Sequence, residues 1–375
     1  METTMKINSN RENLIKGIQT IQAGVSAKTG TIPILQNFLM ETDDKGIKVV
    51  FTDLEMAIKH HINVDIKTAG SITVPMKKFM EIIQNLGNDS DVNISVDESN
   101  RVAINSGKSK IKLSGAPKND YPVIPDLDET NSFRIPAGLL SSMVSGTIFS
   151  ASTEDDRHFL NGLLWKYEKG IFYVVATDGR RLAMASAGEI KIKKDFKIIV
   201  PSKILNELVK FIKTADYGDN DEVTVGLSSN QIGFKIGKTV FISRLIEGNF
   251  PAYEQIIPRT TEISVEINSQ KLAAVTKRAA VCSNERNGAV KYTFKKGMLV
   301  VNSSSQTMDF EDELEVDYKG SDLCVSFNPK FVLDILKNTG EKNLILDFNS
   351  PSTPVKARIK GDDSFVYIVM PLRTQ

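Results

Sequence analysis

Three stretches of this chain open alike, and their spacing constrains the fold more than any other feature. Residues 5–14, 132–140 and 264–272 each read as a short strand running into a helix. Ile7, Phe133 and Val265 correspond at spacings of 126 and 132, and Leu14, Leu140 and Leu272 keep the same two spacings. A second triplet lies later in each copy. Val74-Pro75, Val200-Pro201 and Phe327-Asn328 each end a strand and open a helix, 126 and 127 residues apart. Five residues on stand Phe79, Leu205 and Val332. They are followed by Ile82/Ile83/Leu86, Leu208/Val209/Ile212 and Ile335/Leu336, the apolar stripe of a packed helix, broken in the last copy by Thr339. Pro at a helix entry and Asn328 before Pro329 are ordinary start signals.

The strands repeat as well. Residues 49–53 (Val-Val-Phe-Thr-Asp) match 174–178 (Val-Val-Ala-Thr-Asp). Gly107-Lys108 and Gly237-Lys238 fall between alternating runs and predict hairpin turns. A period near 125 residues is too long for a solenoid and suits a domain. The expectation is an α+β fold of three tandem copies, each a β-sheet layer with two helices, over residues 1–130, 131–260 and 261–375. Polar stretches near 126–131 and 258–261 mark the connections.

Helices are expected at 10–24, 76–86, 137–149, 202–213, 269–281 and 328–338. They hold twelve basic and four acidic residues, in a chain whose net charge is only +1. The basic surface is thus concentrated on the repeated helices, and the strands and loops carry an acidic excess. Clustered Lys and Arg suit a phosphate backbone, and lysines reaching phosphates read no bases. Lys77/Glu81, Lys203/Glu207 and Lys330/Asp334 recur in register; taken singly each is a solvated i,i+4 ion pair, worth about 0.2–0.5 kcal/mol.

Signals for chemistry are weak. Gly107-Lys108-Ser109 and Gly237-Lys238-Thr239 lack the earlier glycine of a phosphate-binding loop, since Val102 and Ile232 stand there. Asp155-Asp156 and Asp362-Asp363 are doublets on turns, whereas a metal-dependent nuclease needs several carboxylates converging. His60 and His61 are neighbours on a strand and point to opposite faces. Cys282 has no nearby base, and Trp165 reads as core. Cys282 and Cys324 are the two cysteines, outside any CxxC pair, so neither a disulfide framework nor a zinc site is expected. No apolar run approaches about 18 residues, and the polar start has no signal-peptide core. The expectation is a cytoplasmic protein, without cofactor, metal or catalytic residues, that binds rather than reacts; a scaffold that binds proteins but not DNA is the other non-enzymatic reading.

Several short segments, in order along the whole chain, carry a family resemblance. They are 31–35 (Thr-Ile-Pro-Ile-Leu), 52–55 (Thr-Asp-Leu-Glu), 160–162 (Leu-Asn-Gly), 176–183 (Ala-Thr-Asp-Gly-Arg-Arg-Leu-Ala), 248–253 (Gly-Asn-Phe-Pro-Ala-Tyr), 283–285 (Ser-Asn-Glu) and 367–373 (Tyr-Ile-Val-Met-Pro-Leu-Arg). With the triplication, the chain resembles the bacterial DNA sliding clamps, the β subunits of replicative DNA polymerase III. The resemblance implies a head-to-tail homodimeric ring whose helices line a hole for double-stranded DNA, held without regard to sequence. It implies a groove that takes clamp-binding peptides of the replicative polymerase, the clamp loader, repair polymerases and mismatch-repair proteins. The matching groove positions are Leu160, Thr177, Gly179, Arg181, Leu182, Pro251, Ile256, Phe331, Pro354, Ile368, Met370 and Leu372. Arg180, where a His is common, and Pro354 depart from some relatives. Implied DNA contacts are Lys28, Arg157, His158, Phe159 and Lys203, and the implied ring interface sets Ile111 and Leu113 of one chain against Val281 and Cys282 of the other.

Overall fold

The protein is described from a computed structural model, which covers residues 3–22, 32–88, 90–283 and 288–373. Six α-helices are found among the described residues: α1 (Arg11–Gln22), α2 (Met76–Gln84), α3 (Ala137–Ser145), α4 (Ser202–Thr214), α5 (Ser269–Cys282) and α6 (Pro329–Leu336). Each overlaps one of the six expected helices. The third is shorter than expected, and the chain continues beyond it into a 3-10 turn at Ile148–Ser150. Asn268 and Asn328 cap α5 and α6, their side chains accepting from the Lys271 and Lys330 amides. Leu14, Leu140 and Leu272, the repeated helix leucines, are all buried, each contributing roughly 1.5–3 kcal/mol of apolar transfer.

Contacts gather the chain into two compact units. The first comprises Met1–Gly138 and Lys203–Leu245. It holds an antiparallel five-stranded sheet, in the order 65–68, 3–10, 91–97, 101–106, 109–114. It also holds an eight-stranded sheet, ordered 132–136, 222–227, 231–236, 239–244, 56–62, 46–52, 37–43, 71–75. Helix α1 packs on strands 46–52 and 56–62 and against α2. The two predicted hairpins are present, with Gly107 and Gly237 at φ +56° and +52°.

The second unit comprises Leu139–Ser202 and Ile246–Gln375. Its eight-stranded sheet runs 196–201, 162–168, 171–177, 181–187, 362–369, 355–359, 344–348, 263–267. Its four-stranded sheet runs 309–315, 298–304, 290–295, 323–327. Helices α5 and α6 pack together, and α5 lies on strands 298–304 and 309–315. The core here includes Leu272, Tyr292, Phe294, Phe327 and Phe348. Trp165 is fully buried in the other sheet of this unit, edge-on to Phe172.

Each eight-stranded sheet contains strands from two copies of the repeat. In the first unit strand 239–244 pairs with 56–62, and in the second 181–187 pairs with 362–369. The middle copy is therefore shared between the two units.

Candidate peptide groove and basic helices

The turn between strands 171–177 and 181–187 shapes the candidate groove. Thr177 Oγ1 donates to the Arg181 carbonyl (2.6 Å) and accepts from the Gly179 amide (3.1 Å). Asp178 Oδ1 accepts from the Arg180 and Arg181 amides at 2.9 and 3.0 Å. The loop closes with Gly179 at φ +85°, a conformation that glycine adopts without a Cβ clash. Asp178-Gly179 thus form a tight turn, stapled by its own side chains.

Arg181 leaves this turn and is almost wholly buried. Its Nε donates to Asp178 Oδ2 (3.0 Å), Nη1 to Asp334 Oδ2 (2.8 Å) and Nη2 to the Phe149 carbonyl (2.5 Å). The guanidinium lies over the Phe331 ring, 4.5 Å from its centroid. Arg181 therefore ties the turn to α6, and it stiffens the groove wall with every donor group committed.

The floor is apolar. Leu160, Leu182 and Ile368 are buried in one cluster with Leu164, Val175, Phe250 and Tyr253. Leu182 pairs directly with Ile368 across the two copies of the repeat. Met370 and Ile256 stand at the rim, each about a third exposed. The Met370 amide donates to the Arg180 carbonyl (3.0 Å), and the Leu372 amide to that of Ser326 (2.7 Å), which fixes the final segment over the groove. Phe331 is buried, Pro354 and Leu372 are half-buried, and Pro251 is exposed. The sequence reading missed Phe250 and Tyr253, aromatics in a proline-containing connection, and it missed Asp334.

None of the three repeated Lys/acid pairs forms. Glu81 bonds Lys78, Lys203 bonds Asp53, and Asp334 turns inward to Arg181, with Lys337 on its other oxygen. Glu207 has no cation within 4 Å among the described residues, and burial pushes its carboxyl up. For Lys203 and Asp334 a partner fixed by the fold outcompetes an exposed i,i+4 pair, whereas Glu81 takes the nearer Lys78 on its own helix.

Lys28 lies outside the described residues. Arg157 and His158 are exposed on the 3-10 segment Asp155–Leu160, Arg157 departing from helical geometry at φ −132°. Phe159 is half-buried against the groove cluster. Lys203 is tied up by Asp53. Exposed helix lysines with no carboxylate within 4 Å among the described residues are Lys77, Lys210, Lys213, Lys271, Lys277 and Lys330. Ile111 and Leu113 are half-buried on the edge strand 109–114, Val281 is 72% exposed at the end of α5, and Cys282 beside it is a half-buried free thiol. No group of three His, Cys, Asp or Glu among the described residues could hold a metal ion.

Three family models match the chain in succession: the N-terminal domain of the DNA polymerase III beta subunit over residues 5–125, the central domain over 134–252 and the C-terminal domain over 254–373. The chain belongs to the DNA polymerase III beta subunit family. It is built of three tandem clamp domains. The beta sliding clamp of Pseudomonas aeruginosa is 31% identical over 372 residues, 98% of this chain and 100% of the relative. That of Haemophilus influenzae is 30% identical, at the same two coverages. A crystal structure of the DNA polymerase sliding clamp from Bacillus subtilis superposes with a TM-score of 0.93 at 28% identity, covering 99% of this chain and 100% of that one. A Pseudomonas aeruginosa clamp structure bound to griselimycin superposes with a TM-score of 0.91 at 29% identity, with the same coverages.

For a sliding-clamp chain the open sheet edges matter most. Strand 109–114 ends the five-stranded sheet and strand 309–315 ends the four-stranded one, each paired on one side only among the described residues. The first carries Lys110 and Lys112 and no acid. The second carries Asp309, Glu311, Asp312, Glu313 and Glu315 and no base. No helix of the described residues is long and apolar enough to cross a membrane.

Proposed function

We propose that two copies of this chain close head to tail into a ring around double-stranded DNA, and that the ring tethers replication and repair proteins through the groove. The observation that carries this is the pair of open edges. An unpaired strand is a template for another strand, and charge of one sign directly opposite itself is destabilising. The basic edge 109–114 therefore fits the acidic edge 309–315 of a second copy and not another copy of itself. Ile111 and Leu113 meet Val281 and Cys282 beside the new ladder. A heterologous contact of this kind makes a ring when its rotation closes.

The domains are 1–130, 131–260 and 261–375. The uncommitted lysines of the helices face the phosphates, as do Arg157 and His158. Such contacts hold DNA without reading sequence. Lys203 offers the phosphates no free donor while Asp53 holds and neutralises it. The groove takes short peptides of the replicative polymerase, the clamp loader, repair polymerases and mismatch-repair proteins. Leu160, Leu182 and Ile368 receive the anchors, and Met370 adapts to their shapes. The chain works in the cytoplasm, by binding and not by catalysis.

The test is retention on circular DNA after loading. The protein should co-migrate with a nicked circle and be released when the circle is cut, and it should have about twice the 41.5 kDa mass of the chain in solution. A stable monomer, or equal retention on linear and circular DNA, would overturn the ring.

A further inference from the structure

The turn that shapes the groove has a twin in the first compact unit. Thr52 Oγ1 donates to the Met56 carbonyl (2.8 Å) and accepts from the Leu54 amide (3.0 Å), as Thr177 does with Arg181 and Gly179. Asp53 Oδ1 accepts from the Glu55 and Met56 amides (3.1 and 2.9 Å), as Asp178 does from Arg180 and Arg181. Ala57 pairs with Ile242 where Leu182 pairs with Ile368. The Arg244 amide donates to the Glu55 carbonyl (3.0 Å) where that of Met370 donates to Arg180. Leu39, Val50 and Tyr121 form a small buried cluster with Ile34 and Ile124 at its edge, in the positions of Leu164, Val175 and Tyr253.

Between these parts lies a cleft of about 90 Å³, walled by Leu54, Met56, Pro122, Val123, Ile124 and Ile242. That is room for a side chain rather than for one water, whose share of liquid volume is about 30 Å³. Lys59 fixes one wall, its ammonium donating to the Ile124 and Pro125 carbonyls (3.2 and 2.7 Å) and to Asp126. Two apolar side chains stand open beside it: Leu54 is 46% and Val123 97% exposed. Leu54 also occupies the left-handed position of Gly179, at φ +75°. A leucine held there against its backbone preference, with its side chain in water, is what a contact surface needs and a bare turn does not.

The charges differ between the twins and indicate the occupant. Glu55 stands where Arg180 stands, and Met56 replaces Arg181. Glu207, at the position of Asp334 on α4, consequently has no guanidinium, and its Oε2 is buried without a hydrogen-bond partner among the described residues. Of the residues lining the cleft, Glu55 is the one acid and has no cation within 4 Å among the described residues, and Arg244 is the one base, its amide already given to the Glu55 carbonyl.

We infer that this cleft is a second peptide-binding groove, taking an extended peptide with one aliphatic anchor and an adjacent Lys or Arg. The aliphatic side chain enters between Met56 and Ile242, and the cation meets Glu55, the one acidic residue lining the cleft. The inference rests on the peptide-binding reading of the Met370 groove, and each groove contains a methionine that can report on it separately.

The experiment uses the full-length protein labelled with ¹³C at methionine methyls, the Met56 and Met370 signals assigned by Met→Leu substitution. One probe is an acetylated hexapeptide with a Leu anchor between two Lys; its control has two Asp instead. A third peptide copies the clamp-binding segment of a replicative polymerase. The Lys peptide should shift the Met56 signal saturably below about 1 mM, at least fivefold more tightly than the Asp peptide. Val123→Ser, at a position whose side chain is already in water, should weaken that binding at least threefold and leave the Met370 response to the polymerase peptide unchanged. A Met56 signal unmoved by the Lys peptide, or moved equally by the Asp peptide, overturns the inference. A Met370 signal unmoved by the polymerase peptide overturns the other reading instead.

Discussion

Arg181 and Asp334 meet at 2.8 Å with both side chains at or below a tenth exposed, and this contact joins the groove turn to α6. Removing one partner of a buried pair leaves a stranded charge and costs about 3–5 kcal/mol. Lys337, on the other Asp334 oxygen at 3.0 Å, moderates the loss. Arg181→Ala should therefore cost about 3 kcal/mol, and Asp334→Asn, which keeps the shape and one acceptor, distinctly less. Chemical denaturation of both variants measures the difference; equal small losses would mean that the pair does not brace the wall.

The final segment of the chain should matter for peptides and not for assembly. Deleting Met370 to Gln375 removes the Met370 and Leu372 amide bonds to Arg180 and Ser326 and one rim of the groove. Fluorescence anisotropy with a polymerase-derived peptide should show binding lost, while sedimentation equilibrium finds the dimer intact. Unchanged peptide affinity would place the groove elsewhere.

Charge at the open edges should govern dimerisation. Lys110→Glu with Lys112→Glu sets acidic residues against an acidic strand and should weaken the dimer at least tenfold at low salt. Glu311→Lys with Glu313→Lys in the same chain should restore part of it. Exposed charges are screened within about 8–10 Å at physiological salt, so the effect should shrink as salt rises. A dimer indifferent to the first double substitution would show that these edges do not meet.

His60 gives the fold a pH dependence. Its Nδ1 is hydrogen-bonded to Thr239 Oγ1 (2.9 Å), and burial, aided by His61 and Lys238, pushes its pKa from 6.5 down to about 4. The unfolded chain binds this proton more readily than the folded one between those values. Stability from the neutral imidazole is thus present above pH 6.5 and lost as pH falls toward 4. His60→Gln should flatten that part of a melting-temperature profile; an unaltered slope would assign the effect to other groups.

Leu54→Gly should stabilise the protein. The left-handed conformation costs an L-residue about 1–2 kcal/mol, and the half-exposed leucine loses little packing when removed. Offset by the greater freedom of glycine in the unfolded chain, the net gain should be about 0.5–1 kcal/mol. Calorimetry should show the first transition a few degrees higher; a lower transition would mean that the Leu54 side chain is held by contacts worth more than its strain.

Much of this structure is legible in the residues because its signals are local. Helix positions follow from apolar spacing and from Pro or Asn at the entries, and the hairpins follow from Gly107 and Gly237. The Thr177-Asp178-Gly179 turn is written by side chains that bond their own backbone. What was not legible depends on partners far along the chain. Asp334 looks like half of a surface pair until Arg181, 153 residues away, claims it. Lys203 looks like a free cation until Asp53 does the same across 150 residues. The match of residues 49–53 to 174–178 was legible, but the twin cleft was not, because Leu54 replaces the glycine that marks the turn and the cleft's walls come from segments far along the chain.

The sharing of the middle repeat between two compact units bears on how the chain comes apart. Strand 239–244 is hydrogen-bonded to the first copy and strand 181–187 to the third, so excising any one copy would strip a neighbour of half a sheet. The unit of evolutionary duplication should then not be the unit of cooperative unfolding. Amide exchange should report two blocks of common protection, and their boundaries should fall within the central repeat, near residues 138 and 203 and again near 245.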